Sequence, residues 1–176
     1  MRRAAALLTL FVLASCAAPR VLPSPRPVVT PAPVPTPTPR PVAGPDWRDW
    51  PYTPGDWAYR RDARGSLALF GPTGADALFM IRCDRLQGKI FLSRSGAAVP
   101  GTPMYIRTSE LSRAVAAQPT GATPPYMAAI VTRTNPLLDA IGFSRGRFVV
   151  EQAGLPVLVI PPWPEFERVV EDCRGF

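Results

Sequence analysis

Four carboxylates, Asp84, Glu165, Glu171 and Asp172, are the side chains of this sequence best suited to acid–base chemistry. A glycosidase needs two carboxyl groups set several ångströms apart across one bond. Nothing in the spacing puts two of these acids in one cleft. The last three read as the solvated face of a helix. Ser144-Arg145-Gly146-Arg147 is a compact basic loop. Arg145 and Arg147 can grip a carboxylate or phosphate through paired hydrogen bonds. They can equally pair with neighbouring acids, such as those of the last helix, which is the reading we favour. Trp47, Trp50, Tyr52 and Trp57 crowd together, with Pro51 and Pro54 between them. Such rings can stack on a sugar. More often they form a lid over the edge of a core.

Other chemistries are excluded by composition. The chain has no histidine, which removes Ser-His-Asp and Cys-His nucleophiles and imidazole zinc sites. Lys89 is the only lysine, and no Ser-x-x-Lys motif contains it. Glycine-rich phosphate loops are absent. Cys83 and Cys173 are too far apart in sequence for a Cys-x-x-Cys redox site. We therefore expect no metal, no cofactor and no enzyme. The net charge of +7 is also misleading. Five basic residues precede position 46, leaving fifteen basic against thirteen acidic residues in 46–176, a net of +2. That is no footprint for nucleic acid.

The amino end carries the most specific pattern. Arg2 and Arg3 precede an apolar run over residues 4–14, broken only by Thr9. The run suits a secretory signal and is too short to span a bilayer. Leu13-Ala14-Ser15-Cys16 resembles the lipobox of bacterial lipoproteins: an aliphatic residue, two small residues, then cysteine. The resemblance implies that residues 1–15 are a signal peptide and that Cys16 is the lipid attachment site. It would carry diacylglycerol on sulfur and an acyl chain on its new amino group, more than stable anchoring requires. The alternative is an ordinary signal peptide cut near an Ala-x-Ala site. Ala17 after the cysteine implies the periplasmic face of the outer membrane, by the sorting rule of enteric lipoproteins. Residues 19–45 then hold eleven prolines in twenty-seven positions, every second one over 31–41. Proline fixes φ and lacks an amide donor, so 16–45 reads as a lipidated Cys and a semi-rigid Pro-rich linker. Fully extended it would reach roughly 80 Å. Its arginines, Arg20, Arg26 and Arg40, can touch headgroups or peptidoglycan carboxylates. Solubility alone is the plainer account.

Residues 46–176 form one domain, long enough for a real core. Alternation of apolar and polar residues predicts strands over 56–61, 66–70, 76–83, 89–94, 104–108, 126–132, 147–151 and 155–160, with a weaker one over 113–118. Both faces of 76–83 are expected to be covered. Asn135 and Pro136 are a cap and first-turn pair that start a short helix ending near Gly142. Pro164, Glu165 and Glu167 open a C-terminal helix to Arg174 whose apolar stripe is Trp163, Phe166, Val169, Val170 and Cys173. The expected fold is mainly β, an antiparallel sandwich or open barrel with one short helix and a C-terminal helix. In the oxidising periplasm that the lipobox implies, Cys83 and Cys173 would form one disulfide tying a central strand to the last helix. The alternative is two buried thiols. The order of a Cys-bearing strand, Leu137-Leu138, Phe148-Val149-Val150, residues 155–160 and Cys173 loosely resembles the invasion-associated locus B family of alphaproteobacterial periplasmic β-domains. No catalytic residue is implied by it.

The expected function is a lipid-anchored, non-enzymatic binding or accessory module of the cell envelope. Its partners would be the membrane, through the anchor, and an envelope protein or peptidoglycan. The possible ligand-binding residues are Trp47, Trp50, Trp57, Arg145 and Arg147. Two alternatives stand beside it: a carbohydrate- or peptidoglycan-active enzyme or inhibitor, and a subunit of a larger assembly that docks through an exposed strand edge.

Overall fold

Alternation with period two is what the domain's chain does for most of its length, and two open antiparallel sheets result. A computed structural model of the chain describes residues 46–175. The signal peptide, the lipidation site Cys16 and the Pro-rich linker lie outside the described residues. A 3-10 turn at Trp47–Asp49 comes first, capped by the Asp46 carboxylate. Then follow β1 (Asp56–Asp62), β2 (Gly65–Gly71), β3 (Phe79–Asp84), β4 (Lys89–Ser95), β5 (Met104–Arg107), β6 (Ser112–Val115), β7 (Ala117–Pro119) and β8 (Tyr126–Thr132). The helix α1 (Pro136–Gly142), strands β9 (Phe148–Glu151) and β10 (Leu158–Ile160), and the helix α2 (Pro164–Arg174) complete it. One sheet has the order β1-β2-β3-β4-β8-β7, the other β10-β9-β5-β6. The expected antiparallel sandwich is thus the observed architecture, with the two expected helices.

Alternate residues of each strand enter one shared core. From the six-stranded sheet come Trp57, Phe70, Phe79, Ile81, Ile90, Leu92, Met127 and Ala129. The four-stranded sheet contributes Met104, Ile106, Phe148, Val150, Leu158 and Ile160, and α2 adds Phe166, Val169, Val170 and Cys173. Trp57 sits between Phe70, Phe79 and Phe166, in tilted and edge-on contact with ring centroids 5.4–6.4 Å away. The opposite face of the four-stranded sheet, at Val149 and Val159, is covered by Trp47, with Trp50 packed against the cluster.

The helices begin where local chemistry says they should. The Asn135 side chain accepts the Leu137 amide and Pro136 takes the first turn. Pro164 opens α2, with Glu165 and Glu167 in its first turn. Cys83 on β3 is bonded to Cys173 on α2, with S–S 2.14 Å. The stripe of α2 is buried from Phe166 to Cys173, but Trp163, expected within it, is 42% exposed. It precedes the first turn, where the chain has not yet turned onto the core.

Three strand boundaries differ from the alternation pattern. The expected strand over 113–118 is two strands in different sheets, β6 and β7, because the chain crosses between the sheets at Ala116. The strand over 76–83 starts at Phe79, and its second face is only partly covered, since Met80 and Arg82 stay half-buried. Residues 155–157 are not part of β10, which begins at Leu158.

Candidate functional site

Three segments remote in sequence meet at one end of the sandwich. The first is residues 50–54. Its Thr53 amide donates to the Val159 carbonyl at 2.9 Å, and the Val159 amide donates back to the Thr53 hydroxyl at 2.9 Å. Those bonds lace it onto the outer edge of β10. The second is the end of the β3–β4 pair, Leu78 with Arg94, Ser95 and Gly96. The third is the β9–β10 loop with the start of β10, residues 155–159. Together they enclose an apolar cleft of about 700 Å³, within the roughly 300–1,000 Å³ of small-molecule sites. Gly96 lets the segments close up. Its φ is +112°, and a Cβ there would lie 2.6 Å from Leu155 Cδ2, so no other residue fits without displacement.

The polar feature of this cleft is Arg94. On β4 the inward positions are Ile90, Leu92 and Arg94, and Arg94 lies between Phe79 and Met127 on the flanking strands. Its side chain is 1% exposed. Nη2 donates to the Pro156 carbonyl at 2.8 Å, and Nε reaches the Ser95 carbonyl at 3.4 Å. Nη1 is buried with no hydrogen-bond partner. No ion pair among the described residues includes Arg94. Burial pushes its guanidinium down to about 10, so it is still a cation at neutral pH. A buried cation without a counter-charge is costly, and it makes the cleft electropositive.

The residues singled out in sequence do not assemble into one site. Trp57 is a core residue, 7% exposed, and its Nε1 donates to the Pro161 carbonyl at 2.8 Å. Trp47 is buried on the far face of the four-stranded sheet. Trp50 alone of the three tryptophans lines the cleft. Arg145 is on the surface, 3.3 Å from Glu110. Arg147 donates to the Trp50 carbonyl and lies over the Tyr52 ring at 4.3 Å, while the Tyr52 hydroxyl donates to the Gly146 carbonyl. That exchange clasps the 50–54 segment in place. Neither arginine pairs with an acid of α2, as the sequence suggested, because the 144–147 loop is engaged with the 50–52 segment and Glu110 instead.

Of the four acids singled out, Asp84 and Asp172 serve ion pairs, whereas Glu165 Oε2 is buried without a hydrogen-bond partner. Asp84 accepts from Arg64 Nη2 at 2.8 Å and from the Gln87 amide at 3.1 Å; the Arg64 bond above all holds its carboxyl below the usual range. Burial alone would push Asp172 up, but hydrogen bonds, with that from Tyr59 foremost and one from Arg61, outweigh it and hold the carboxyl low. Asp62 is held low by the bond from Arg82. Glu171 and Asp172 do share a depression of about 400 Å³ with Asp62, Arg61 and Arg85. Two of its three acids are biased toward the ionised form, which is unsuited to a general acid. Among the described residues no group of three His, Cys, Asp or Glu side chains is placed to hold a metal ion, and no helix is long and apolar enough to cross a membrane.

Sequence reasoning passed over Arg94. The signal for it was present, since a charge in phase with Ile90 and Leu92 must point the same way as they do. A third concavity, about 630 Å³, is lined by exposed Tyr52, Phe143 and Trp163 beside Pro161 and Pro162. Comparison of the chain with models of protein families, with curated proteins and with solved structures found no match.

Proposed function

We propose that this chain is a lipid-anchored, non-enzymatic binding module of the bacterial cell envelope, held by Cys16 on the periplasmic face of the outer membrane. Its domain takes a small ligand in the cleft beneath Trp50. The cleft carries the reading: about 700 Å³ with apolar walls, built from three segments that other contacts hold in place. The lipobox and the Pro-rich spacer of the sequence support the anchoring half of the proposal. The ion-paired state of Asp62, Asp84 and Asp172 supports the absence of turnover.

The test uses a neutral apolar fluorophore, N-phenyl-1-naphthylamine, with the full chain carrying Cys16→Ala so that no detergent is present. Dye fluorescence should rise with the protein. Val157→Trp, at a rim position 40% exposed, should abolish the rise without loss of folding. No dye uptake, or equal uptake by that variant, would refute the cleft. In cells, Cys16→Ala should shift the protein from the membrane to the soluble fraction.

The glycan alternative has a different basis from the one the sequence suggested. Trp47 and Trp57 are buried, so it would rest on Tyr52, Phe143 and Trp163 in the separate groove. Retention on immobilised peptidoglycan that Trp163→Ala abolishes would favour it. Docking through a strand edge lacks a matching feature among the described residues. β1 carries Asp56, Arg60, Arg61 and Asp62, β7 has three residues ending in Pro119, β6 has four, and β10 is bonded to Thr53.

A further inference from the structure

We infer that the cleft's ligand is an amphiphile with a single anionic head, its charge received by Arg94 and its apolar body by Trp50, Leu78 and residues 155–159. This rests on the cleft being a binding site, as proposed above, and adds the chemical class of what it binds.

Arg94 has donors to spare. A guanidinium has five N–H groups. Arg94 uses one on Pro156 at 2.8 Å and one, weakly, on Ser95 at 3.4 Å. Nη1 has no hydrogen-bond partner, and the one bond of Nη2 is that to Pro156, which leaves its second N–H unspent. The free edge of the fork, Nη1 with Nη2, therefore matches the two oxygens of a carboxylate or phosphate. The other charged side chain that is buried among the described residues, Asp84, has a partner in Arg64 at 2.8 Å. Arg94 has none, and it lines the apolar cleft. A neutral ligand would leave its charge uncompensated. A cationic ligand would meet like charge. A small hydrophilic anion would neutralise the charge but leave the apolar walls without a partner. Only a molecule that is anionic at one end and apolar at the other satisfies both.

Carboxylate and phosphate heads share this chemistry, and they would come from a free fatty acid or from a lipid phosphate. Three probes of equal chain length separate the cases: dodecanoate and dodecyl phosphate, each titrated calorimetrically below its micelle concentration, and dodecanol, titrated below its solubility limit, into the full chain carrying Cys16→Ala. Binding of one or both anions at least about tenfold tighter than dodecanol is expected, and the tighter anion identifies the head. Arg94→Gln should weaken the anions by about tenfold to a hundredfold, the range for a hydrogen-bonded charge, and leave dodecanol unchanged. Dodecanol binding as tightly as dodecanoate, with Arg94→Gln affecting neither, would overturn the anionic assignment while leaving the cleft a binding site. Failure of all three probes with the unsubstituted cleft would overturn both. Should Arg94→Gln not fold, the ratio of anion to alcohol in the unsubstituted cleft decides alone. An arginine with only a structural role predicts a ratio near one.

Discussion

Replacing Cys83 and Cys173 together by alanine removes the cross-link between β3, near the middle of the six-stranded sheet, and α2. The two positions are 90 residues apart in sequence. Tying the ends of such a loop restricts the unfolded chain, and the chain-entropy treatment gives about 4–5 kcal/mol at 25 °C. Native bridges removed from small domains cost about 2–5 kcal/mol. The folded state should change little, because Phe166, Val169 and Val170 remain fully buried on α2 and each holds the helix by about 1.5–3 kcal/mol. The loss should therefore appear as global destabilisation of about 3–5 kcal/mol, or a fall in Tm on the order of 10–20 °C for a domain of this size. Urea denaturation of the full chain, with Cys16→Ala in both proteins, measures it. Thiol titration in unreduced denaturant should find neither Cys83 nor Cys173. A double variant within about 1 kcal/mol of its parent, or two reactive thiols in the unreduced protein, would refute the reasoning.

Further outcomes follow from burial. The Glu167 carboxyl is pushed up by burial, with help from the charges of Asp139 and Glu171 and against that of Arg174. Its folded pKa thus exceeds its unfolded one, so the ionised form weakens the fold at high pH and that penalty fades as pH falls through the folded pKa. Glu167→Gln should raise stability at pH 8 and have less effect at pH 5, as read by Tm across the range. Gly142 leaves room for this carboxylate: a Cβ there would lie 1.3 Å from Glu167 Oε1. Gly142→Ala should cost about 1–3 kcal/mol, and Glu167→Ala in the same chain should recover most of it, a coupling that a double-mutant cycle measures. Trp57→Ala should cost about 3–5 kcal/mol in urea denaturation, whereas Trp50→Ala should act mainly on dye uptake by the cleft.

Features that depend on near neighbours could be read from the residues in order. Period-two alternation made the chain mainly β because successive side chains of a strand must face opposite ways. Asn135 with Pro136, and Pro164 with Glu165, marked helix starts because capping is settled within one turn. The helix stripe ending in Cys173 and the existence of a strand bearing Cys83, though not its bounds, were legible for the same reason.

The candidate site was not, and Arg94 shows why. Its inward direction follows from Ile90 and Leu92, but its lack of a counter-charge depends on what the β9–β10 loop and residues 50–54 bring to it. Trp47, Trp50 and Trp57 look alike in sequence, yet one faces the core, one covers the opposite sheet face and one lines the cleft. Residues 113–118 read as one strand, and only the sheets on either side of Ala116 divide it. The order of residues along the chain set the strand and helix periodicity, the helix caps and the supply of chemistry, which has no histidine and a single lysine. Which charges found partners, which rings were buried and where a cleft opened depended on tertiary structure, because burial and pairing bring in segments as many as 106 residues away.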